Sequence, residues 1–110
     1  MSKKYFIPKD DFREIEIAPG VRIKTVAGEK IMFSFLEFQP HASIPPHSHP
    51  HEQMGFVLEG QFELNIGGER KLVKKGDVYL IPSNVEHSGF AGEEGATTLD
   101  VFSPPREDYL

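Results

Sequence analysis

The feature that most constrains the fold of this chain is the period of its hydrophobic pattern. Ile15 and Ile17 alternate with acidic residues, and Val21 and Ile23 alternate with basic ones. Side chains point to opposite faces of a strand in turn, so apolar residues at every second position indicate strands with one buried face. No segment has the period of a helix longer than a turn or two. The sequence therefore predicts an all-β sandwich or barrel.

Turn residues at regular intervals divide the chain into short strands. We expect Glu59-Gly60 and the Gly-rich segment 92–95 to interrupt strands, and Gly67-Gly68 to form a two-residue hairpin turn. Eight or more strands are predicted in total. After the first two, the expected strands cover 30–39, 54–58, 61–66, 71–73, 77–81, 88–90 and 97–102.

The length and charge of the chain limit what it can be. Its 110 residues predict a single domain, with a core barrel at about 20–102 and a C-terminal tail at 103–110. The net charge is -5, so no general basic field attracts nucleic acid or an anionic membrane. We expect neither as a partner. Exposed sheet on so small a barrel commonly finds a partner, which predicts a homodimer.

The chain has no cysteine, which excludes disulfides, thiolate zinc sites and cysteine nucleophiles. Any metal must then be held by nitrogen and oxygen. No apolar run is long enough for a signal peptide or a membrane span. We therefore expect a cytoplasmic location.

A cluster of metal-ligand residue types lies in the middle of the chain. His47, His49 and Gln53 fall within seven positions of one another, and His87 follows about a strand pair later. In an extended segment the first three share one face, whereas Glu52 has the opposite parity. His47, His49, Gln53 and His87 are therefore the candidate ligands of one metal ion.

Two other histidines receive different interpretations. His51 shares the parity of the candidate ligands, but Pro50 beside it indicates a kink, which favours a position behind the ligands or at the surface. His41 follows Pro40 and is expected in a turn.

Candidate catalytic residues lie near the C-terminal end. If Leu99 and Val101 pack outward, then Thr98, Asp100 and Phe102 line the interior of the barrel. Burial there would raise the pKa of Asp100 and suit it to proton transfer. The alternative is an edge-strand Asp that faces water.

Arg106 follows a Ser-Pro-Pro segment and has two interpretations. Its guanidinium can bind a substrate carboxylate through two parallel hydrogen bonds. It can equally form a surface ion pair with Glu107 or Asp108.

Two segments resemble the motifs of the cupin family. Residues 46–53 followed by Gly60 resemble the first motif, HxHx(3-4)Ex6G, with Gln53 at the Glu position. Residues 76–87 resemble the second motif, Gx5PxGx2H, with Asn84 in place of the second Gly. Asn tolerates positive φ better than most residues, so this substitution fits. The resemblance implies a small double-stranded β-helix, or jelly-roll, barrel with a metal inside it.

The resemblance implies metal ligation by His47, His49, Gln53 and His87. Imidazole and carbonyl oxygen suit Ni, Zn, Fe, Mn or Co, so ligand type alone does not select one of these divalent metals. Because Gln53 is neutral, the charge of the ion stays uncompensated by its ligands, which favours anionic substrates. An octahedral ion would keep two open positions for such a substrate, whereas a tetrahedral zinc would be closed.

Segments 47–53, 82–87 and 99–109 together resemble the cupins of pectin degradation, over nearly the whole chain. Members of that group act on unsaturated uronates released by pectin or alginate lyases and convert the cyclic 4,5-unsaturated sugar to its linear keto form. The resemblance implies a small anionic sugar as substrate, and it implies Asp100, Phe102 and Arg106 as residues of the catalytic pocket. Two alternatives remain open, a cupin dioxygenase that uses ferrous iron and a non-catalytic sugar or metal sensor.

Overall fold

Eight β-strands form the molecule in the computed structural model, which describes residues 5–110. Their bounds are β1 Arg13–Ala18, β2 Val21–Ala27, β3 Met32–Phe38, β4 Ser43–His47, β5 Glu52–Ile66, β6 Glu69–Lys74, β7 Val78–Ile81 and β8 His87–Ser103. The helical segments in this range are two single 3₁₀ turns, Lys9–Asp11 and Glu107–Tyr109. No helix among these residues could cross a membrane. The all-β prediction is confirmed.

Two long strands organise the fold. β5 has 15 residues and β8 has 17, and they pair antiparallel from Glu52 and Ser103 at one end to Ile66 and His87 at the other. Each passes through both sheets of a jelly roll. The large sheet has the order β1-β2-β3-β8-β5-β7, and the small sheet has the order β4-β8-β5-β6.

The continuity of β5 and β8 corrects two expectations. Glu59-Gly60 does not interrupt β5, and the segment 92–95 does not interrupt β8. The pairing register instead shifts on either side of Glu59-Gly60. Gly60 and Gly95 have φ of 73° and 70°, and a Cβ on Gly60 would collide with the Gly95 carbonyl oxygen. The predicted breaks were wrong because the residues of a bulge resemble those of a turn.

Inward side chains of both sheets form the core. Phe38 of β3 and Phe62 of β5 pack with ring centroids 5.0 Å apart. After β8 the chain turns back against the barrel, where the Thr25 hydroxyl donates a hydrogen bond of 2.9 Å to the Tyr109 carbonyl oxygen. The tail therefore packs beside the interior rather than extending from it. The core also includes Val21, Ile23, Leu36, Val57, Leu64, Val73, Tyr79 and Ile81.

Candidate metal centre

Three imidazole rings converge where β4, β5 and β8 meet. His47, the last residue of β4, pairs with His87, the first residue of β8, and His49 lies in the loop that precedes β5. The ring centroid of His87 lies 4.2 Å from that of His47 and 4.9 Å from that of His49. One nitrogen of each ring lies within 4.8 Å of the other two. Ligand nitrogens about 2 Å from one ion lie about 3 to 4 Å apart, so a small closure of these rings suffices to hold a metal.

Backbone carbonyls select the tautomer of all three rings. In each ring Nδ1 lies beside a carbonyl oxygen two residues away. The contacts are His47 to Pro45 at 3.0 Å, His49 to His51 at 3.0 Å and His87 to Val85 at 2.9 Å. A carbonyl oxygen can only accept, so Nδ1 carries the hydrogen and Nε2 keeps its lone pair. This is how metal-ligating histidines are ordinarily oriented.

Burial also sets the charge of two of the rings. Desolvation lowers the pKa of His87 from 6.5 to about 4. Desolvation, followed by the positive charge of Arg106, lowers the pKa of His49. Both rings are therefore neutral near pH 7, which is the protonation state that binds a metal.

Gln53 supplies an oxygen beside these nitrogens. Its side chain is buried, and its Oε1 lies 3.1 Å from His49 Nε2. In the tautomer described above both atoms are acceptors, so a cation between them would satisfy both. The Gln53 amide also forms a hydrogen bond with the Asp100 carboxylate. Glu52 is exposed on the opposite face, as its parity predicted.

Asp100 is buried and held by donors. The Tyr79 hydroxyl donates to its Oδ1 at 2.6 Å, and the Thr98 hydroxyl donates to its Oδ2 at 2.8 Å. Burial raises the pKa of the Asp100 carboxyl, while the hydrogen bonds from Tyr79, Thr98 and Gln53 oppose that rise. Thr98 and Phe102 are buried on the same face of β8, as the alternation predicted. The alternative of a water-facing Asp100 does not hold in this structure.

Gly55 makes the contact between Tyr79 and Asp100 possible. It lies on β5 between them, paired with Tyr79 of β7 on one side and Asp100 of β8 on the other. A Cβ on Gly55 would collide with the Tyr79 ring and with Asp100 Oδ1. The missing side chain therefore provides the space in which the hydroxyl and the carboxylate meet.

Phe102 and Arg106 lie beside the histidines. The Phe102 ring packs edge to face against His49, with centroids 5.6 Å apart. The Arg106 side chain is 12% exposed, and its guanidinium lies 4.0 Å from the centroid of the Tyr109 ring. It also makes two hydrogen bonds to Asp108, of 3.2 and 2.8 Å. The two interpretations of Arg106 are thus compatible, because it faces the interior while pairing with Asp108.

One cavity of about 60 Å³ connects these groups. Three of the four candidate ligands and the three candidate catalytic residues line the same space, although they come from four segments of the chain, and His49 packs beside it against Phe102. The polar and aromatic residues of its lining include His47, Gln53, His87, Asp100, Phe102 and Arg106, together with Tyr79, Thr98 and Tyr109.

Sequence reasoning did not single out Tyr79. Its position in a short alternating strand predicts burial, but nothing local indicates that it reaches Asp100, 21 residues later. His51 is buried behind the site, and within residues 5–110 it lies outside the three-histidine group. Its Nε2 lies 3.4 Å from Glu107 Oε1, and its Nδ1 has no hydrogen-bond partner.

Comparison with known proteins identifies the family to which this fold belongs. Residues 34–102 match the cupin domain family. The chain is 34% identical over 110 residues to the pectin degradation protein KdgF of Dickeya dadantii (strain 3937), an alignment that covers 98% of this chain and 99% of that protein. The structure of KdgF from Halomonas sp. has a TM-score of 0.85 and 30% identity, covering 99% of this chain and 100% of that one. An RmlC-like cupin from Shewanella frigidimarina NCIMB 400 has a TM-score of 0.87 and 28% identity, covering 98% and 97%. The chain therefore belongs to the cupin family and is a relative of the KdgF proteins within it.

Proposed function

We propose that this cupin acts in pectin degradation as a metal-dependent enzyme that linearises 4,5-unsaturated uronates. The substrates would be the monomers that pectin and alginate lyases release, and the product would be the linear 4-deoxy-5-keto-uronate. The observation that carries the proposal is the shared cavity, in which the cluster of candidate ligands adjoins a buried carboxylate and a guanidinium. The similarity to KdgF over nearly the full length supports it.

The proposed metal ligands are Nε2 of His47, His49 and His87 and Oε1 of Gln53. The tautomers described above, and the paired acceptor atoms of His49 and Gln53, suit a divalent Ni, Zn, Fe, Mn or Co ion. When bound, the ion would supply Lewis acidity toward an oxygen on which negative charge develops. The uncharged ligand set favours an anionic substrate over a neutral one.

The reaction needs only proton movements. The hemiacetal hydroxyl at C1 loses a proton as the C1–O5 bond breaks and O5 gains one, which leaves an aldehyde at C1 and an enol at C5. The enol oxygen then loses its proton while C4 gains one, which produces the ketone. The sum is an isomerisation, without an oxidant or a reductant.

We assign the proton transfers to Asp100. Its carboxylate is oriented by Tyr79 and Thr98 and lines the cavity, so one oxygen can accept the proton of a substrate hydroxyl and return it to carbon. Its raised pKa brings the acid and base forms closer to balance than in an exposed Asp.

Arg106 and Phe102 are proposed to bind and shield the substrate. The Arg106 guanidinium has donors beyond the two engaged by Asp108, and Asp108 is itself 59% exposed and can exchange for a substrate carboxylate. Phe102 forms an apolar wall beside His49, which keeps water away from the reacting atoms.

The test is turnover of unsaturated galacturonate by metal-loaded protein, followed by loss of ultraviolet absorbance and by proton NMR of the product. We expect a linear keto acid from the wild type and no turnover after chelation, with recovery when metal is restored. Asp100→Asn should reduce kcat by at least about a hundredfold, the usual contribution of a positioned acid or base, while metal content stays unchanged. Undiminished turnover by that variant would remove Asp100 from the mechanism. Oxygen uptake would instead indicate a dioxygenase, and an unaltered sugar bound to the protein would indicate a sensor.

A further inference from the structure

The C-terminal turn Glu107–Tyr109 brings the ring of Tyr109 to the cavity. The chain folds back after β8, and the Tyr109 N–H donates a hydrogen bond of 3.0 Å to the Arg106 carbonyl oxygen. The buried Thr25 hydroxyl donates to the Tyr109 carbonyl oxygen at 2.9 Å. The Tyr109 ring packs edge to face against Phe102, with centroids 5.9 Å apart. Backbone and side-chain contacts therefore both fix the place of this ring.

The Tyr109 ring lies against the guanidinium of Arg106. Arg106 Cζ is 4.0 Å from the centroid of this ring and 5.5 Å from that of Phe102, so Tyr109 is the closer of the two aromatic contacts. Both distances lie within the reach of about 6 Å at which a cation is attracted to the face of a ring. The Arg106 side chain is only 12% exposed, and this attraction strengthens when the cation is withdrawn from water.

The contact with Tyr109 leaves the hydrogen-bonding edge of the guanidinium to a carboxylate. A guanidinium carries five N–H groups in one plane, whereas attraction to the face of a ring requires none of them. Asp108 occupies Nε and one Nη of Arg106, at 3.2 and 2.8 Å. Exchange of the half-exposed Asp108 for a substrate carboxylate therefore does not require the ring contact to break.

The place of this guanidinium decides how a uronate is oriented in the cavity. Among the described residues that line the cavity, Arg106 is the one lysine or arginine. The Asp100 carboxylate lines the same space and, when ionised, repels a second carboxylate. The carboxylate of the sugar is therefore drawn to Arg106 and away from Asp100.

We propose that Tyr109 is a positioning residue that holds Arg106 ready for the carboxylate of a uronate, an assignment that rests on the proposed function. An arginine side chain has many rotamers, and ordering them opposes binding. Because the ring already restricts Arg106, less conformational entropy is lost when the sugar carboxylate pairs with it. Tyr109 thereby favours a charged sugar over a neutral one without touching the carboxylate.

The test is binding of galacturonate, a uronate without the reacting double bond, to protein loaded with diamagnetic zinc and observed by NMR titration. Galactose is the neutral comparison, and we expect the wild type to prefer galacturonate. Tyr109→Leu should raise the Kd for galacturonate about tenfold and leave the Kd for galactose within about twofold. Tyr109→Phe keeps the ring and should bind galacturonate within about threefold of the wild type. The measurement needs no turnover, so failure of the proposed reaction is distinguishable from failure of this assignment.

A double-mutant cycle tests whether Tyr109 acts through Arg106. In the Arg106→Gln background, Tyr109→Leu should change the Kd for galacturonate by less than about twofold, because the group that the ring holds is gone. Tyr5→Leu makes the same change at a position that is 81% exposed, and this matched control should bind as the wild type does. Circular dichroism establishes that each variant is folded, and Tyr109→Met is a second variant without an aromatic ring.

Three results would overturn the assignment. One is a wild type that does not prefer galacturonate to galactose. Another is a Tyr109→Phe variant that binds galacturonate as weakly as Tyr109→Leu, because the ring would then not be the cause. The third is an undiminished effect of Tyr109→Leu in the Arg106→Gln background, or an equal loss of affinity for both sugars, either of which would indicate a structural role for Tyr109 that does not involve Arg106.

Discussion

Tyr79 and Asp100 meet across Gly55, where the Tyr79 hydroxyl donates a hydrogen bond of 2.6 Å to Asp100 Oδ1. The two residues belong to strands on either side of β5, and only the absence of a side chain at Gly55 lets their side chains touch. With Thr98 and Gln53 as further donors, the buried carboxylate has one orientation. Three strands therefore cooperate to position a single group beside the histidine cluster.

Gly55→Ala should disrupt this contact. The new methyl group collides with the Tyr79 ring and Asp100 Oδ1, and overpacking of this kind costs about 1 to 3 kcal/mol of stability. Urea denaturation measures the loss. Gly92→Ala is the control, because no atom lies within 4 Å of its added Cβ and its φ is not positive. Equal stability of the two variants would contradict the geometry described here.

Thr98 allows a paired test of how Asp100 is oriented. Thr98→Val removes the hydroxyl that donates to Oδ2 at nearly constant volume, and Thr98→Ser keeps it. A hydrogen bond to a charged group is worth about 1.5 to 3 kcal/mol, so we expect kcat to fall about ten- to a hundredfold in the Val variant. Steady-state kinetics should show KM unchanged and activity retained by the Ser variant. If both variants lose activity equally, loss of the Thr98 hydroxyl does not explain the fall in kcat.

Gln53→Glu should strengthen the binding of metal to the centre and weaken the binding of an anionic substrate. A carboxylate there would neutralise part of the ion's charge and would replace a donor to Asp100 with a second negative group. We expect tighter metal binding by calorimetry and a KM for unsaturated uronate raised about tenfold, equivalent to 1.4 kcal/mol. Glu52→Gln, an opposite charge change on the exposed face, is the control and should alter neither quantity. An unchanged KM in the metal-loaded Glu variant would argue against the role of ligand charge.

The stability of the metal-free protein should fall in mild acid. The pKa of His87 is lowered to about 4 in the folded protein, against 6.5 when it is unfolded. Between these values the unfolded chain binds more protons, so the stability present above pH 6.5 is lost as the pH falls and the loss is complete near pH 4. His87 accounts for about 2 to 3 kcal/mol of this change.

Urea denaturation of protein freed of metal by a chelator, at pH 4 to 7, measures the slope of the free energy of unfolding against pH. His87→Gln should flatten it, whereas His41→Asn, at an exposed turn position with φ of 64°, should not. An identical slope in all three proteins would show that His87 does not contribute.

The residue types and their alternation in the sequence were sufficient to predict part of the site. Alternation predicted that Gln53 faces inward and Glu52 outward, and the structure agrees. Asn84, at a position where the family has Gly, has φ of 66°, as its tolerance for positive φ suggested. These features depend on one or two neighbouring residues and on the two-residue period of a strand.

The sequence by itself determined the strand pattern and the inward parity of the candidate ligands. Only the tertiary structure decided that the Asp100 face is buried, that β5 and β8 run unbroken through their bulges, and that Tyr79 reaches Asp100 over Gly55. Each of these follows from pairing register between strands distant in sequence. Register depends on the packing of the whole sheet, whereas alternation within one strand does not specify which strand pairs with it.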